Sequence, residues 1–270
     1  MSLALRYASA ALGILQRDAA VFASYRLRFA TQTGATLFTL LLFYYISRLV
    51  RVEMFPSPDE YFAFVTVGLV IFGVLTSTLA VAPAALRQEL VAGTFERLVV
   101  SPFGAVAGVL AMLLFPFAYA IVHGVVSLLL AALLFGLPLE WPSAALALPV
   151  AILGVLAFLP FGVLTAAAVV VMKQAMAAGN FLVACISVVA GLYFPVTLLP
   201  GWIEWTSDVQ PFTPAVDLLR HLLVGAPLGS SAWAELAKLA LFAAVLIPAS
   251  VWVLHYAVRI GRRRATITEY

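Results

Sequence analysis

"RQELVAGTFERLVVSP", residues 87–102, gathers four charged side chains within a chain that is otherwise strongly apolar. Gly93 suits the left-handed position that ends a helix, and Thr94 suits the cap of the helix that follows. Apolar residues recur through the stretch at helical spacing. Residues 84–102 are therefore predicted to form an amphipathic hairpin, consisting of a helix, an elbow and a second short helix.

The composition around this hairpin is that of a membrane protein. The chain has 270 residues, of which 64% are hydrophobic and only 10% are charged, and its mean hydropathy is +1.11. Soluble domains carry roughly 25% charged residues, so a water-soluble fold would have too few polar groups to cover its surface. The single cysteine, Cys185, excludes an intramolecular disulfide.

Six stretches are long and apolar enough for helices that cross the hydrocarbon core, which takes roughly 20 residues. The predicted fold is a single all-α transmembrane domain over residues 1–270. Residues 1–24 are interrupted by Arg17 and Asp18, and they are predicted to form an amphipathic interfacial helix. Residues 200–232 form an outer segment. The predicted spans cover residues 29–49, 61–83, 104–135, 144–172, 179–199 and 233–258.

Lysine and arginine near the helix ends indicate the orientation of the spans. With the N-terminus inside, eleven of these residues fall on the cytoplasmic side and four on the outer side, while eight of the twelve acidic residues lie outside. Both termini are therefore expected in the cytoplasm, in a multi-pass protein of the cell inner (plasma) membrane. The basic tail at residues 259–264 is interpreted as an anchor to lipid headgroups and not as a nucleic-acid site.

The order of residues in the hairpin resembles the signature of ABC type-2 permeases, the membrane subunits of ATP-binding-cassette exporters. Gln88 and Phe95 are two mild departures from the family pattern. In that family the segment is the coupling helix, which docks in a cleft of the ATPase subunit. The resemblance implies an ATPase-coupling role for Arg87, Glu89, Gly93, Thr94, Phe95, Glu96, Leu98, Ser101 and Pro102.

Four of these residues are expected to contact the ATPase directly. Glu89 and Glu96 would supply the polar contacts, and Phe95 and Leu98 the apolar ones. By the mechanism that the resemblance implies, ATP binding closes the ATPase pair, pushes the hairpins together and opens an outer gate.

A second resemblance to the same family lies at residues 191–220. Thr213 and Pro214 are predicted to begin a short helix there and Gly225 to end it, with Arg220 on its polar side. Such a helix would rest on the outer leaflet or dip into it. In the family this region forms small gate helices, which implies an outer-gate role for Phe194, Pro195, Pro200, Trp202, Pro211 and Arg220.

The chain has no G-x-x-x-x-G-K-[ST] loop, so we expect no cofactor in it and assign ATP and Mg²⁺ to a separate ABC ATPase subunit. No metal-binding H-E-x-x-H motif occurs either, and an enzyme is not expected. Six spans are half of the family's usual twelve, which implies a second permease copy or a paralogue surrounded by membrane lipids. The alternatives are an ATPase-independent channel, a secondary transporter or a scaffold, with His123 as the candidate for proton coupling.

Polar residues in two spans are candidates for the border of a pathway. Gln32, Thr36 and Thr39 recur on one side of the first span, and Asn180 and Ser187 lie in the fifth. Hydrogen bonds that pack one helix against another are the competing interpretation. The family moves amphipathic drugs, lipids and lipid-linked glycans, and the apolar spans favour an amphipathic cargo.

Overall fold

The computed structural model describes residues 3–24, 26–50, 55–95, 97, 104–172 and 176–263. Within these ranges the protein is helical and has no strand. A short 3₁₀ helix covers Val196–Leu198. The α-helices are α1 (Leu3–Ser24), α2 (Arg26–Leu49), α3 (Pro58–Val91), α4 (Ala105–Met112), α5 (Leu114–Phe135), α6 (Trp141–Met172), α7 (Met176–Val189), α8 (Gly201–Asp208), α9 (Phe212–Val224) and α10 (Ala232–Arg263).

Five stretches of the described chain are long and apolar enough to cross a membrane, which makes this a multi-pass membrane protein. The second of them lies in α3, a single helix of 34 residues that continues past the predicted span as far as Val91. Ser57 caps the start of α3 by accepting a hydrogen bond from the backbone N–H of Glu60 at 3.2 Å. The five stretches are Phe29–Leu49, Pro58–Ser77, Ala105–Phe135, Trp141–Val171 and Ala232–Gly261.

The span predicted at residues 179–199 is not among these five. Helix α7 has 14 residues and ends at Val189, so the predicted end at residue 199 is wrong. The chain turns at Gly191, whose φ of +65° is left-handed, before it reaches Pro195. The described part of α7 is shorter than the roughly 20 residues that a membrane crossing takes.

The third predicted span, residues 104–135, consists of two helices. Helix α4 ends at Met112, and α5 begins at Leu114. Pro116 explains the break, because a proline has no N–H and its ring collides with the carbonyl four residues earlier, which here belongs to Met112.

The core lies between α3, α6, α9 and α10 at the end of the molecule that is predicted to be external. Helix α6 is central and packs against the other three. Phe158, Leu192, Phe212, Leu218 and Leu239 are fully or almost fully buried in this core. A second cluster, at the opposite end, joins the end of α3 to α4, α6 and α10.

Helices α2 and α7 lie at the periphery. Helix α2 packs against α3 and α5 and exposes Phe38, Leu42 and Tyr45. Helix α7 exposes Phe181 and Val188. These two helices therefore carry large apolar side chains that the described part of the chain does not cover.

Candidate functional site

The segment that was predicted to couple to an ATPase begins in the last turn of α3, and its described residues, 87–95 and 97, are called the coupling elbow. Gly93 has φ +69°, as its predicted helix-ending position requires. The N–H of Gly93 donates to the carbonyl oxygen of Leu90 at 3.1 Å, and that of Thr94 donates to the carbonyl oxygen of Glu89 at 3.0 Å. This pair of bonds is the Schellman arrangement, which satisfies carbonyls that the helix end leaves free. The prediction that Gly93 ends the helix in the left-handed conformation is confirmed.

Glu89 holds the elbow against α1. Its side chain is 18% exposed, and its carboxylate accepts a hydrogen bond from Nη1 of Arg17 at 3.1 Å. Arg17 also donates from Nε to Asp18 at 2.9 Å. Partial burial lowers the pKa of Arg17, but Asp18 and Glu89 outweigh it and raise that pKa overall. The charge that was expected to meet an ATPase therefore lies in an intramolecular ion pair here.

The Thr94 hydroxyl points backward along the chain. It donates to the carboxylate of Glu89 and lies 3.3 Å from the carbonyl oxygen of the same residue. The backbone of Thr94 does begin the next turn, because the N–H of Arg97 donates to its carbonyl oxygen at 3.1 Å. Among the described residues, the Thr94 side chain therefore braces the elbow and does not cap the helix that follows.

Phe95 lies inside the protein. Its side chain is 1% exposed and packs with Leu86, Leu90, Val163 and Leu254 in the cluster that joins α3, α6 and α10. The expectation that Phe95 offers an apolar contact to a partner does not fit this conformation, because an aromatic ring finds a closed apolar pocket within its own chain. The ring instead fastens the elbow to the bundle.

The surface of the coupling elbow is both charged and apolar. Arg87, Gln88 and Arg97 are exposed, and Val91 is 64% exposed. Val91 therefore offers the apolar surface that was expected from Phe95. Four predicted coupling residues lie outside the described ranges, namely Glu96, Leu98, Ser101 and Pro102.

Gly93→Ala is expected to lower the free energy of unfolding by about 1–2 kcal/mol, because an L-residue at this φ is strained. A Cβ at Gly93 meets no atom within 4 Å, so crowding contributes nothing to the effect. Gly34 lies inside α2 with equally open surroundings, and Gly34→Ala should not destabilise the protein. Thermal unfolding of the purified chain compares the two variants. Equal stability of both would contradict a left-handed requirement at the elbow.

At the opposite end of the molecule, α9 is a buried helix. It begins at Phe212, one residue before the predicted cap at Thr213, and ends at Gly225, whose φ is +68°. Most of its residues are buried between α3, α6 and α10, including Ala215 and Leu219. The expectation of a helix with an exposed polar side that includes Arg220 is therefore wrong, and its position at or in the outer leaflet stays a prediction. Apolar residues occupy more than one side of α9, and the bundle encloses it.

Arg220 is the most heavily bonded side chain of α9. It is 2% exposed, although it was predicted to lie on the polar outer side. Its Nε donates to the carbonyl oxygen of Phe64 at 3.1 Å, and its Cζ lies 3.4 Å from the centre of the Phe64 ring. Its Nη1 and Nη2 donate to the carbonyl oxygens of Gly191 and Leu192, each at 3.0 Å.

These bonds explain why a guanidinium is tolerated inside the protein. Three carbonyl oxygens and an aromatic face replace the water that burial removes. Burial lowers the pKa of Arg220 to about 9 while Asp217 opposes the shift, so Arg220 stays charged at neutral pH. An Asp217 carboxylate oxygen lies 3.8 Å from Nη1. Burial raises the pKa of Asp217, and Arg220 is the main charge that counters this shift.

The other predicted gate residues differ in position and in exposure. Pro195 precedes the 3₁₀ helix and Pro200 precedes α8. Pro195 and Arg220 line the same cavity of about 870 Å³, which also includes Phe64 and Asp217. Phe194 is half-buried, Pro211 is buried at the start of α9, and Trp202 is exposed.

The coupling elbow and the surroundings of Arg220 both lie within a region that matches a known family. Residues 13–224 match the family model described as ABC-2 type transporter, which covers more than half of the chain. The chain belongs to the ABC-2 type transporter family. No curated relative matches it. As an ABC-2 membrane protein it is a permease component of an ABC transporter and not itself the catalytic subunit, and members of this family usually work with an ABC ATPase subunit.

The polar side chains of the first span in this ABC-2 protein make hydrogen bonds within their own helix or to a neighbouring helix. The hydroxyls of Thr36 and Thr39 donate to the carbonyl oxygens one turn earlier, each at 3.1 Å. Gln32 accepts a hydrogen bond from the Tyr119 hydroxyl of α5 at 2.7 Å, so it takes part in helix packing. The Ser187 hydroxyl donates to the carbonyl oxygen of Ala184 within α7. The side chain of Asn180 lies outside the described part of the protein, and the role of this set as a pathway stays a prediction.

His123 belongs to an aromatic cluster that joins α1, α2 and α5 of the ABC-2 bundle. Its ring stacks on Tyr119 with centroids 6.0 Å apart and meets the edge of Phe29 at 5.8 Å. Phe22 of α1 packs against both of these neighbours. The Nε2 atom of His123 has no hydrogen-bond partner among the described residues. The cluster ties α1 to α2 and α5.

Sequence reasoning missed three residues that define the two ends of this ABC-2 permease. Arg17 was assigned only to the polar side of an interfacial helix, and Phe64 and Gly68 were not singled out. A Cβ on Gly68 would lie 2.4 Å from Nη2 of Arg220. No local signal identifies these positions, because each acts on a residue far away along the chain.

Proposed function

We propose that this permease is the translocation subunit of an ABC exporter that moves an amphipathic or lipid-linked substrate outward, driven by a separate ATPase chain. The observation that carries the proposal is the coupling elbow of an ABC-2 family member. Its backbone is fixed by a Schellman cap and by Glu89, and it exposes Arg87, Val91 and Arg97. A fixed, charged and partly apolar projection is suited to docking in a partner's cleft.

The energy for transport comes from the partner in this proposal. ATP and Mg²⁺ bind to the ATPase chain, since the permease lacks the glycine-rich loop and lysine that hold phosphates. We place the protein in the inner (plasma) membrane with both termini in the cytoplasm, which requires α7 to act as a sixth crossing beside the five apolar stretches. Closure of the ATPase pair would push on the elbow. Helix α3 has 34 residues and ends in the elbow, so it would carry the movement toward the outer end.

A second permease copy or a paralogue completes the pathway. The uncovered faces of α2 and α7 support this, because they carry Phe38, Leu42 and Phe181 in exposed positions on the same helices as the polar candidates Thr36 and Ser187. A six-span chain with such faces is half of a pathway, and the apolar character of these faces suits an amphipathic cargo.

Cysteines at positions 36 and 187 are expected to crosslink between two copies of the chain when Cys185, which is exposed, is first replaced by serine. A thiol-specific crosslinker would then give a dimer band on a denaturing gel. Leu129→Cys, on the exposed face of α5, is the matched control and should remain monomeric. If positions 36 and 187 also remain monomeric, these helices do not line a shared pathway.

Transport itself is tested in inside-out membrane vesicles that contain the chain and its ATPase. A fluorescent phospholipid probe should move into the inner leaflet of the vesicle only when hydrolysable ATP is added, and it should then be protected from an external quencher. Equal movement without ATP would favour the passive channel, and no movement under any condition with this probe would exclude phospholipid as the cargo class.

A further inference from the structure

The Arg220 side chain connects three elements that are distant in the sequence. It projects from α9, donates to Phe64 in α3, and donates to Gly191 and Leu192 directly after α7. Gly68, one turn after Phe64 in α3, leaves the space that the guanidinium occupies. This connection lies inside the outer core, where α9 is already packed.

Helix α8 differs from α9 in its exposure and in the reach of its side-chain hydrogen bonds. Trp202 and Trp205 are exposed. The side-chain hydrogen bonds described for α8 stay within it, donated by Trp205, Thr206 and Ser207 to carbonyls of its own turns. A cavity of about 560 Å³ lies between α8 and the residues of α9 and α10 opposite it, with Glu204 on one side and Lys238 on the other.

We propose that Arg220 is a positioning residue that locks α9, the end of α7 and the outer part of α3 into one fixed unit. The outer gate then moves through residues 193–211, which include the 3₁₀ helix and α8, and not through α9. The description of this movement as a gate rests on the proposed exporter function. The lock that Arg220 forms is a property of the chain and does not depend on that function.

The bonding of Arg220 explains why α9 stays fixed. Hydrogen bonds from an ionised donor are roughly twice as strong as neutral ones. Separating α9 from both α3 and the segment after α7 would leave a buried charge and three carbonyl oxygens without this donor, which is strongly unfavourable. Residues 193–211 reach α9 through a neutral hydrogen bond, from Gln210 Nε2 to the Thr213 hydroxyl at 3.1 Å, and the two cavities that border them give them room to move.

Hydrogen exchange of the full chain in lipid nanodiscs tests the lock, and α3 supplies a matched pair of variants. Gly68→Ala places a Cβ 2.4 Å from Arg220 Nη2, whereas Gly73→Ala, in the same helix, meets nothing within 4 Å. In the wild type, α9 should exchange as slowly as α6, and α8 should exchange faster. Gly68→Ala should accelerate exchange at residues 191–192 and in α9 by at least about tenfold, while Gly73→Ala leaves both unchanged.

A second variant separates positioning from general destabilisation. Lysine at position 220 lacks the Nη2 group that the methyl group added by Gly68→Ala would displace, so combining Arg220→Lys with Gly68→Ala should restore part of the protection. Two unrelated destabilising changes would instead add their effects. Equal exchange of α8 and α9 in the wild type, or identical behaviour of Gly68→Ala and Gly73→Ala, would overturn the lock. Because exchange is measured without ATP or substrate, this result stands apart from any failure of the transport assay.

Discussion

Glu89→Arg is expected to lower ATP-driven transport by at least about tenfold, a loss of roughly 1.4 kcal/mol of coupling, while membrane insertion stays normal. The substitution places a second guanidinium opposite Arg17, which now lies 3.1 Å from the Glu89 carboxylate. It also removes the carboxylate that accepts the Thr94 hydroxyl. The elbow would lose both of its side-chain braces, and transport in inside-out vesicles measures the consequence.

Gln88→Arg is the matched control for this prediction. Gln88 is the exposed neighbour of Glu89, so the control adds one positive charge to the elbow without disturbing the ion pair. Its transport should remain within about twofold of wild type, since an exposed charge contributes little. Combining Glu89→Arg with Arg17→Glu should recover part of the loss. Normal transport by Glu89→Arg alone would contradict the coupling role.

Arg220→Met is expected to destabilise the protein by about 3–5 kcal/mol, the range for removing one partner of a buried ionic network. Methionine fills much of the same space but donates no hydrogen bond, so the carbonyl oxygens of Phe64, Gly191 and Leu192 lose their donor. The unfolding temperature should fall by roughly 10 °C or more. Thermal unfolding of the purified chain, followed by the loss of its monodisperse peak, gives the measurement.

His221→Met serves as the control for Arg220→Met. His221 is the next residue of α9 and is exposed, and its Nδ1 atom lies 2.9 Å from the carbonyl oxygen of Ala226. Its replacement should cost about 1 kcal/mol or less. Arg220→Lys should fall between the two, because an ammonium keeps the charge but cannot reach three carbonyls and stack on a ring at once. Similar stabilities of Arg220→Met and His221→Met would contradict the buried network.

The local features of this fold could be read from the sequence. Gly93 and Gly225 end helices in the left-handed conformation because a glycine lies where the apolar pattern of each helix stops. Five of the six predicted spans coincide with helical stretches of the described chain that are long and apolar enough to cross a membrane. The charged hairpin resembled a family, and the match over residues 13–224 bears that out.

Features that depend on tertiary packing could not be predicted in this way. Phe95 lies in an amphipathic stretch, and only the fold decides that its ring faces Leu254 and not a partner. Arg220 looked like a surface charge because its acceptors are backbone carbonyls, which every residue carries. The end of α7 was misplaced because two prolines looked like stronger stops than Gly191.

Docking of the coupling elbow on a separate ATPase can be tested by purifying the tagged chain from its native membranes in mild detergent. A P-loop ATPase should accompany the chain in stoichiometric amount, should be lost with Glu89→Arg, and should be retained with Gln88→Arg. Recovery of the chain without any ATPase across several detergents would show that the elbow has no such partner.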